Sequence, residues 1–76
     1  MPKLPVASGS DVVKALERAG YEVLRQRGSH VIMINRRAMQ TIPVPLHGSK
    51  SLASGTLRGI IRDAGLTVEE SIRLLR

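Results

Sequence analysis

Apolar residues recur along the chain with two different periods, and the change of period divides it into elements. Val12, Ala15, Leu16 and Ala19 have the spacing of one face of a helix. Ser8 stands ahead of them with Asp11 three residues on, an S-x-x-D capping-box spacing, and Gly20 makes a natural stop. The pattern then loosens into alternation over residues 21–26 and a run rich in β-branched residues over 30–35, and both predict strands. Gly28 and Ser29 fall at the turn between them. Arg36-Arg37-Ala38 turns the chain again into a third strand over 39–44, where Pro43 marks an edge strand.

After a loop over 45–51, helical spacing returns at Leu57, Ile60, Ile61 and Ala64. It predicts a second helix over 56–64, closed by Gly65. A short third helix is expected from Thr67, with Glu70 completing another capping box and Val68, Ile72 and Leu75 turned inward. The order is α-β-β-β-α plus a terminal helical segment. Three antiparallel strands with helices on one face make a two-layer α+β fold. Such a sheet leaves its other face open to water or to a partner.

Length keeps this to a single domain over residues 1–76, small enough to need tight packing or an oligomeric partner. With no cysteine, disulfides and thiolate metal sites are excluded. The start, Met1-Pro2-Lys3-Leu4-Pro5, lacks the apolar region of a signal peptide, and no apolar run has bilayer-spanning length. A cytoplasmic protein without a membrane role is the expectation.

Charge changes the picture. Twelve Lys and Arg against six Asp and Glu give a net charge of +6, and nine of the twelve are Arg. A positive field over so small a surface favours polyanions, and Arg matches phosphate bidentately where Lys acts as a point charge. Nucleic acid is the expected partner. Aromatic stacking platforms are excluded, because Tyr21 is the only aromatic residue.

The candidate chemistry follows by residue type. Two-metal phosphoryl transfer needs clustered carboxylates, and no close acidic pair flanks either histidine in sequence. No metal or cofactor is expected. No cysteine nucleophile, G-x-S-x-G elbow or P-loop is present. What survives is metal-free cleavage of RNA by its own 2′-hydroxyl, with a histidine as general base or general acid. His30 closes the segment Arg25-Gln26-Arg27-Gly28-Ser29-His30, which places an imidazole at the mouth of a basic hairpin. Arg25 and Arg27 there would stabilise phosphorane charge, and Gly28 would let a phosphate approach the backbone. An inert, hydrogen-bonded strand-end histidine is the alternative for His30. His47, in a stiff loop before Gly48-Ser49-Lys50, is either a second imidazole or an ordinary loop residue, and Lys50 is placed to hold a phosphate. Arg36 and Arg37 suit a solvated turn. Arg58 and Arg62 form either a phosphate-binding face or a solvated one.

Several stretches together resemble one known family, the HicA toxins of toxin–antitoxin systems, along nearly the whole chain. They are Lys3-Leu4-Pro5-Val6 with Ser8-Gly9, Ala19-Gly20-Tyr21, Arg25 to His30, Ile42-Pro43-Val44-Pro45-Leu46-His47-Gly48, Lys50, and Gly55-Thr56-Leu57-Arg58-Gly59-Ile60-Ile61. The resemblance implies a fold like the double-stranded RNA-binding domain and translation-independent mRNA cleavage with His30 as catalytic residue. Arg25, Arg27, Gly28, Ser29, His47, Lys50 and Arg58 are the corresponding substrate-binding candidates. It also implies a HicB-type antitoxin that covers the active surface and through which larger assemblies form. The chain departs from the family pattern at Arg36-Arg37-Ala38, where a glycine-containing turn is usual. It departs also at Ser51, where an acid is common, and at Ser54, where proline is frequent.

Two other functions compete with a ribonuclease toxin. One is a non-catalytic binder of double-stranded RNA with the same fold. The other is a DNA-binding regulator using residues 57–75 as a helix-turn-helix, which Glu69 and Glu70 oppose by repelling phosphate at the start of the would-be reading helix.

Overall fold

The computed structural model describes residues 3–76. Its elements run α1 (Gly9–Arg18), β1 (Glu22–Arg27), β2 (His30–Asn35), β3 (Gln40–Pro45), α2 (Ser54–Asp63) and α3 (Val68–Leu75). The strands form one antiparallel sheet in the order β1-β2-β3. This is the two-layer α+β arrangement expected from the sequence, with the α-β-β-β-α order of a double-stranded RNA-binding-domain-like fold and a third helix appended.

Both expected capping boxes form. The Ser8 hydroxyl accepts from the Asp11 N–H at 3.2 Å while the Asp11 carboxylate accepts from the Ser8 N–H at 3.1 Å. Thr67 and Glu70 repeat the exchange at 3.0 and 2.9 Å. Each pair satisfies two amide donors that the first helical turn leaves without a carbonyl. Helix α2 begins two residues earlier than its apolar spacing suggests, with Ala53 at its N-cap and no side-chain bond there.

The core lies between the helices and one side of the sheet. Val31 and Met33 of β2 and Ile42 and Val44 of β3 turn inward to meet Val12 and Leu16 of α1 and Leu57, Ile60 and Ile61 of α2. Tyr21, expected to open β1, precedes the strand instead. It is buried, and its hydroxyl donates to Gln40 Oε1 at 3.1 Å, while the Gln40 amide in turn donates to the Asp63 carbonyl. One polar chain therefore joins the start of β1, the start of β3 and the end of α2.

Helix α3 packs on α1. Arg18 holds its far end, donating to the Leu74 carbonyl at 2.6 Å and the Arg76 carbonyl at 2.8 Å, a cation where a helix leaves carbonyls unpaired. Of the expected inward residues, Leu75 packs against the core. Val68, Ile72 and Leu75 are only half-buried, and the buried position is Ser71. Its small side chain lies within the apolar seam shared with α1 and α2, and its hydroxyl is satisfied by the Thr67 carbonyl at 2.8 Å.

The β2–β3 connection explains a second difference. Met39, expected to begin β3, lies in the turn with φ of 52°. Asn35 Oδ1 accepts from the Arg37 and Ala38 N–H groups at 3.1 and 3.3 Å and winds the loop tightly. With no glycine in Arg36-Arg37-Ala38, Met39 takes the left-handed position, and its side chain stays 77% exposed.

Candidate active site

The site is built at the end of the sheet where β1 turns into β2. Arg27, the last residue of β1, stands directly opposite His30, the first of β2, so Gly28 and Ser29 form a two-residue hairpin loop. Gly28 as first loop residue, at φ of 58° with Ser29 outside the left-handed region, is the type II′ pattern that matches strand twist. The loop is held from two sides. The Gln26 amide donates to the Gly28 carbonyl at 3.1 Å, and the Leu46 N–H donates to the Ser29 carbonyl at 2.6 Å. The Ser29 hydroxyl lies 3.5 Å from His30 Nδ1.

Which face these residues occupy is decided by an irregularity in β1. Val23 pairs with Met33, facing the core, but Arg25 pairs with Ile32, so Leu24 is an extra residue in a β-bulge. Strict alternation from an inward Val23 would send Arg25 and Arg27 inward too. The bulge reverses the parity. Gln26, opposite Val31, now faces the helices, while Arg25 and Arg27 join His30 on the open side. Sequence reasoning found the three residues but missed the device that assembles them. Its only trace is the break in alternation where apolar Val23 and Leu24 stand side by side.

The open side therefore carries three cross-strand rows. Arg27, His30 and Pro45 form the first, Arg25, Ile32 and Pro43 the second, and Glu22, Ile34 and Thr41 the third. His30, Arg25 and Arg27 are exposed. The ion pairs among the described residues are Arg36 with Glu22 at 3.1 Å and Arg62 with Asp63 at 3.8 Å. Arg25 and Arg27 thus keep their charge unmatched.

The loop after β3 brings further candidates to the same end. Because Leu46 extends the ladder to Ser29, His47 emerges beside the Gly28-Ser29 turn. His47 to Lys50 form a β-turn, with the Lys50 N–H donating to the His47 carbonyl at 3.1 Å and Gly48 at φ of 63°. Both side chains are exposed. The loop is tied back where the Leu52 N–H meets the Ala7 carbonyl at 2.8 Å and Ser8 bridges Ser51. Gly9 fixes the helix against it, for a Cβ there would run into the Pro45 carbonyl oxygen and lie 2.8 Å from Leu46 Cδ2.

Arg58 is placed elsewhere. It lies on the helix layer with Arg62, lining a groove of about 290 Å³ together with Leu4, Ile61, Leu66 and Val68. Among the described residues, no group of three His, Asp or Glu side chains stands close enough to hold a metal ion, and no helix is long and apolar enough to cross a membrane.

A family model for the HicA toxin of bacterial toxin–antitoxin systems matches residues 9–66. The chain belongs to the HicA toxin family. The match runs from the first residue of α1 to just before α3 and takes in His30, Arg25, Arg27, His47, Lys50 and Arg58. A search of curated proteins found no match. As a HicA toxin the protein is the toxic member of a toxin–antitoxin pair.

Proposed function

We propose that this HicA-family toxin is a metal-independent endoribonuclease that cuts mRNA and so arrests translation, with His30 as its catalytic residue. The observation that carries the reading is the open-face row in which exposed His30 stands opposite Arg27 at the end of a clamped hairpin. In the reaction the ribose 2′-oxygen attacks the adjacent phosphorus and loses its proton. The P–O5′ bond breaks and the leaving oxygen gains a proton, giving a 2′,3′-cyclic phosphate and a 5′-hydroxyl. An imidazole at His30 serves as base for the first transfer or acid for the second, a role worth about 10²–10⁴-fold. Arg25 and Arg27 neutralise charge on the pentacoordinate phosphorus, and the side-chain-free Gly28 with Ser29 lets the phosphate reach the loop backbone. His47 and Lys50 hold flanking phosphates, and Arg58 contributes a more distant phosphate contact from α2.

The same row, cationic and unpaired, suits acidic groups of a HicB-type antitoxin, which would silence the toxin by covering it. A non-catalytic binder of double-stranded RNA is the competing reading, and it is tested by the same experiment. Cleavage of an RNA by the purified toxin is expected to proceed in EDTA and to stop when the scissile nucleotide carries 2′-deoxyribose. Loss of cleavage in EDTA contradicts the acid–base scheme, and RNA binding with no cleavage under any condition favours the binder.

A further inference from the structure

The second open-face row has no role in proton transfer, yet its composition is unusual for a solvent-facing sheet. Ile32 is half-buried at its centre, the ring of exposed Pro43 lies on one side, and the exposed guanidinium of Arg25 lies on the other. We propose that the Arg25–Ile32–Pro43 row seats one unpaired nucleobase of the RNA, next to the phosphate that His30 addresses. The proposal rests on the nuclease reading for the word "next" and on the sheet geometry for the seat itself.

The size of the seat follows from its neighbours. Rows on one face of a strand are about 6.7 Å apart, so the seat lies one nucleotide's reach from His30. Beyond it the patch closes. Ile34 faces the same side but is only 7% exposed, and the Glu22 carboxylate opposite it is tied to Arg36. That ion pair is neutral overall and gives a phosphate no net attraction where the seat ends. One flat residue's worth of apolar surface is left open, bounded by a bound acid at one end and by the His30 row at the other.

Charge identifies the occupant. Arg25 and Arg27 follow the β1 edge of the patch with no acidic partner among the described residues, which suits the backbone of a strand whose base points across the sheet. The aliphatic surface of Ile32 and Pro43 packs against a base without reading its edges, while the Arg25 guanidinium stays with the phosphate backbone. The seat replaces the aromatic platform this chain lacks, and it requires a base free of pairing. In-line attack by a 2′-hydroxyl makes the same demand, because the regular geometry of an A-form duplex holds that oxygen out of line.

The experiment uses the full chain and a 2′-O-methyl oligoribonucleotide, which binds but cannot be cut, carrying a single abasic residue stepped along its length. One position is expected to weaken binding to the wild type about three- to tenfold. Ile32→Ala and Pro43→Ala are each expected to weaken the intact oligonucleotide by a similar factor and to leave the abasic one unchanged. Pro43 lies on an exposed edge, so its variant keeps the test informative if Ile32→Ala folds poorly. Equal affinity for intact and abasic RNA overturns the seat, as does an equal loss on both probes in the variants. Tighter binding of a duplex than of the single strand overturns it in favour of shape recognition. Variants that bind RNA normally but fail to retain the antitoxin overturn it in favour of a protein-docking patch. Cleavage is measured separately: a protein showing this binding pattern that cuts no RNA loses the nuclease reading and keeps the seat.

Discussion

The two faces of the sheet are made by the same three strands and follow opposite rules. Toward the helices, Val31, Met33, Ile42 and Val44 are sealed, with Met33 and Val44 at 0% exposure. Toward solvent, the intervening positions hold His30, Ile32, Pro43 and Pro45, joined by Arg25 and Arg27. In β2 and β3 simple alternation separates the two sets. In β1 it fails, and only the bulge at Leu24 lets Val23 stand on the helix side, still 50% exposed, while both arginines share the histidine's side. One face is a packing problem solved by shape, and the other holds two guanidiniums, Arg25 and Arg27, that no acid among the described residues pairs. Stability and activity are therefore expected to divide by face.

Met33→Ala strikes the packed face hardest. Emptying a fully buried methionine site is expected to cost about 2–5 kcal/mol, or a Tm drop of about 8–40 °C by thermal melt. RNA cleavage per folded molecule at low temperature should persist. Gly9→Ala attacks the seam where α1 meets the end of β3. The new methyl must displace the Pro45 carbonyl and Leu46, at a cost of about 1–3 kcal/mol, and here activity should fall as well because Leu46 holds the Ser29 carbonyl. A melt unchanged from wild type would contradict the packing described at Gly9.

Smaller changes lie away from both faces. Met39→Gly relieves a left-handed backbone that costs a non-glycine residue about 1 kcal/mol, while the lost side chain was largely in water. Denaturation should show a gain of about 0.5–1 kcal/mol with cleavage unaltered. Glu70 gives the smallest effect, and one that fades in acid. The Thr67 backbone N–H, then the Thr67 hydroxyl, hold its carboxyl below the ordinary value of 4.5. A depressed folded pKa contributes stability that is present above the unfolded value and lost as pH falls through the folded one. Glu70→Gln should therefore lower Tm slightly at neutral pH, converge on the wild type in acid, and flatten the fall between them.

What the sequence shows of this fold is what local rules control. Ser8 with Asp11 and Thr67 with Glu70 announce helix starts because both partners lie within one turn. Residues 30–35 form a strand as their β-branching suggests, and Gly28 turns the chain where a positive φ is needed. Residues governed by distant contacts were less legible. Tyr21 is buried with its hydroxyl on Gln40 while its N–H closes α1 on the Leu16 carbonyl, and Ser71 is buried because α3 packs against α1. Met39 is displaced by the Asn35 side chain that winds the loop. The candidate site divides the same way. His30, Arg25 and Arg27 are visible as a basic cluster beside a glycine, and the family match includes them. The bulge that gathers them, and the Ile32–Pro43 row beside them, exist only once β1 is registered on β2 and β2 on β3.

The central claim is that an exposed His30 does chemistry and not structure. It is tested most directly by measuring single-turnover RNA cleavage and the thermal melt on the same preparation of His30→Ala. The account predicts a rate lower by about 10²–10⁴-fold with a Tm within a few degrees of wild type. Cleavage at the wild-type rate would contradict it, and so would an activity loss that only tracks unfolding.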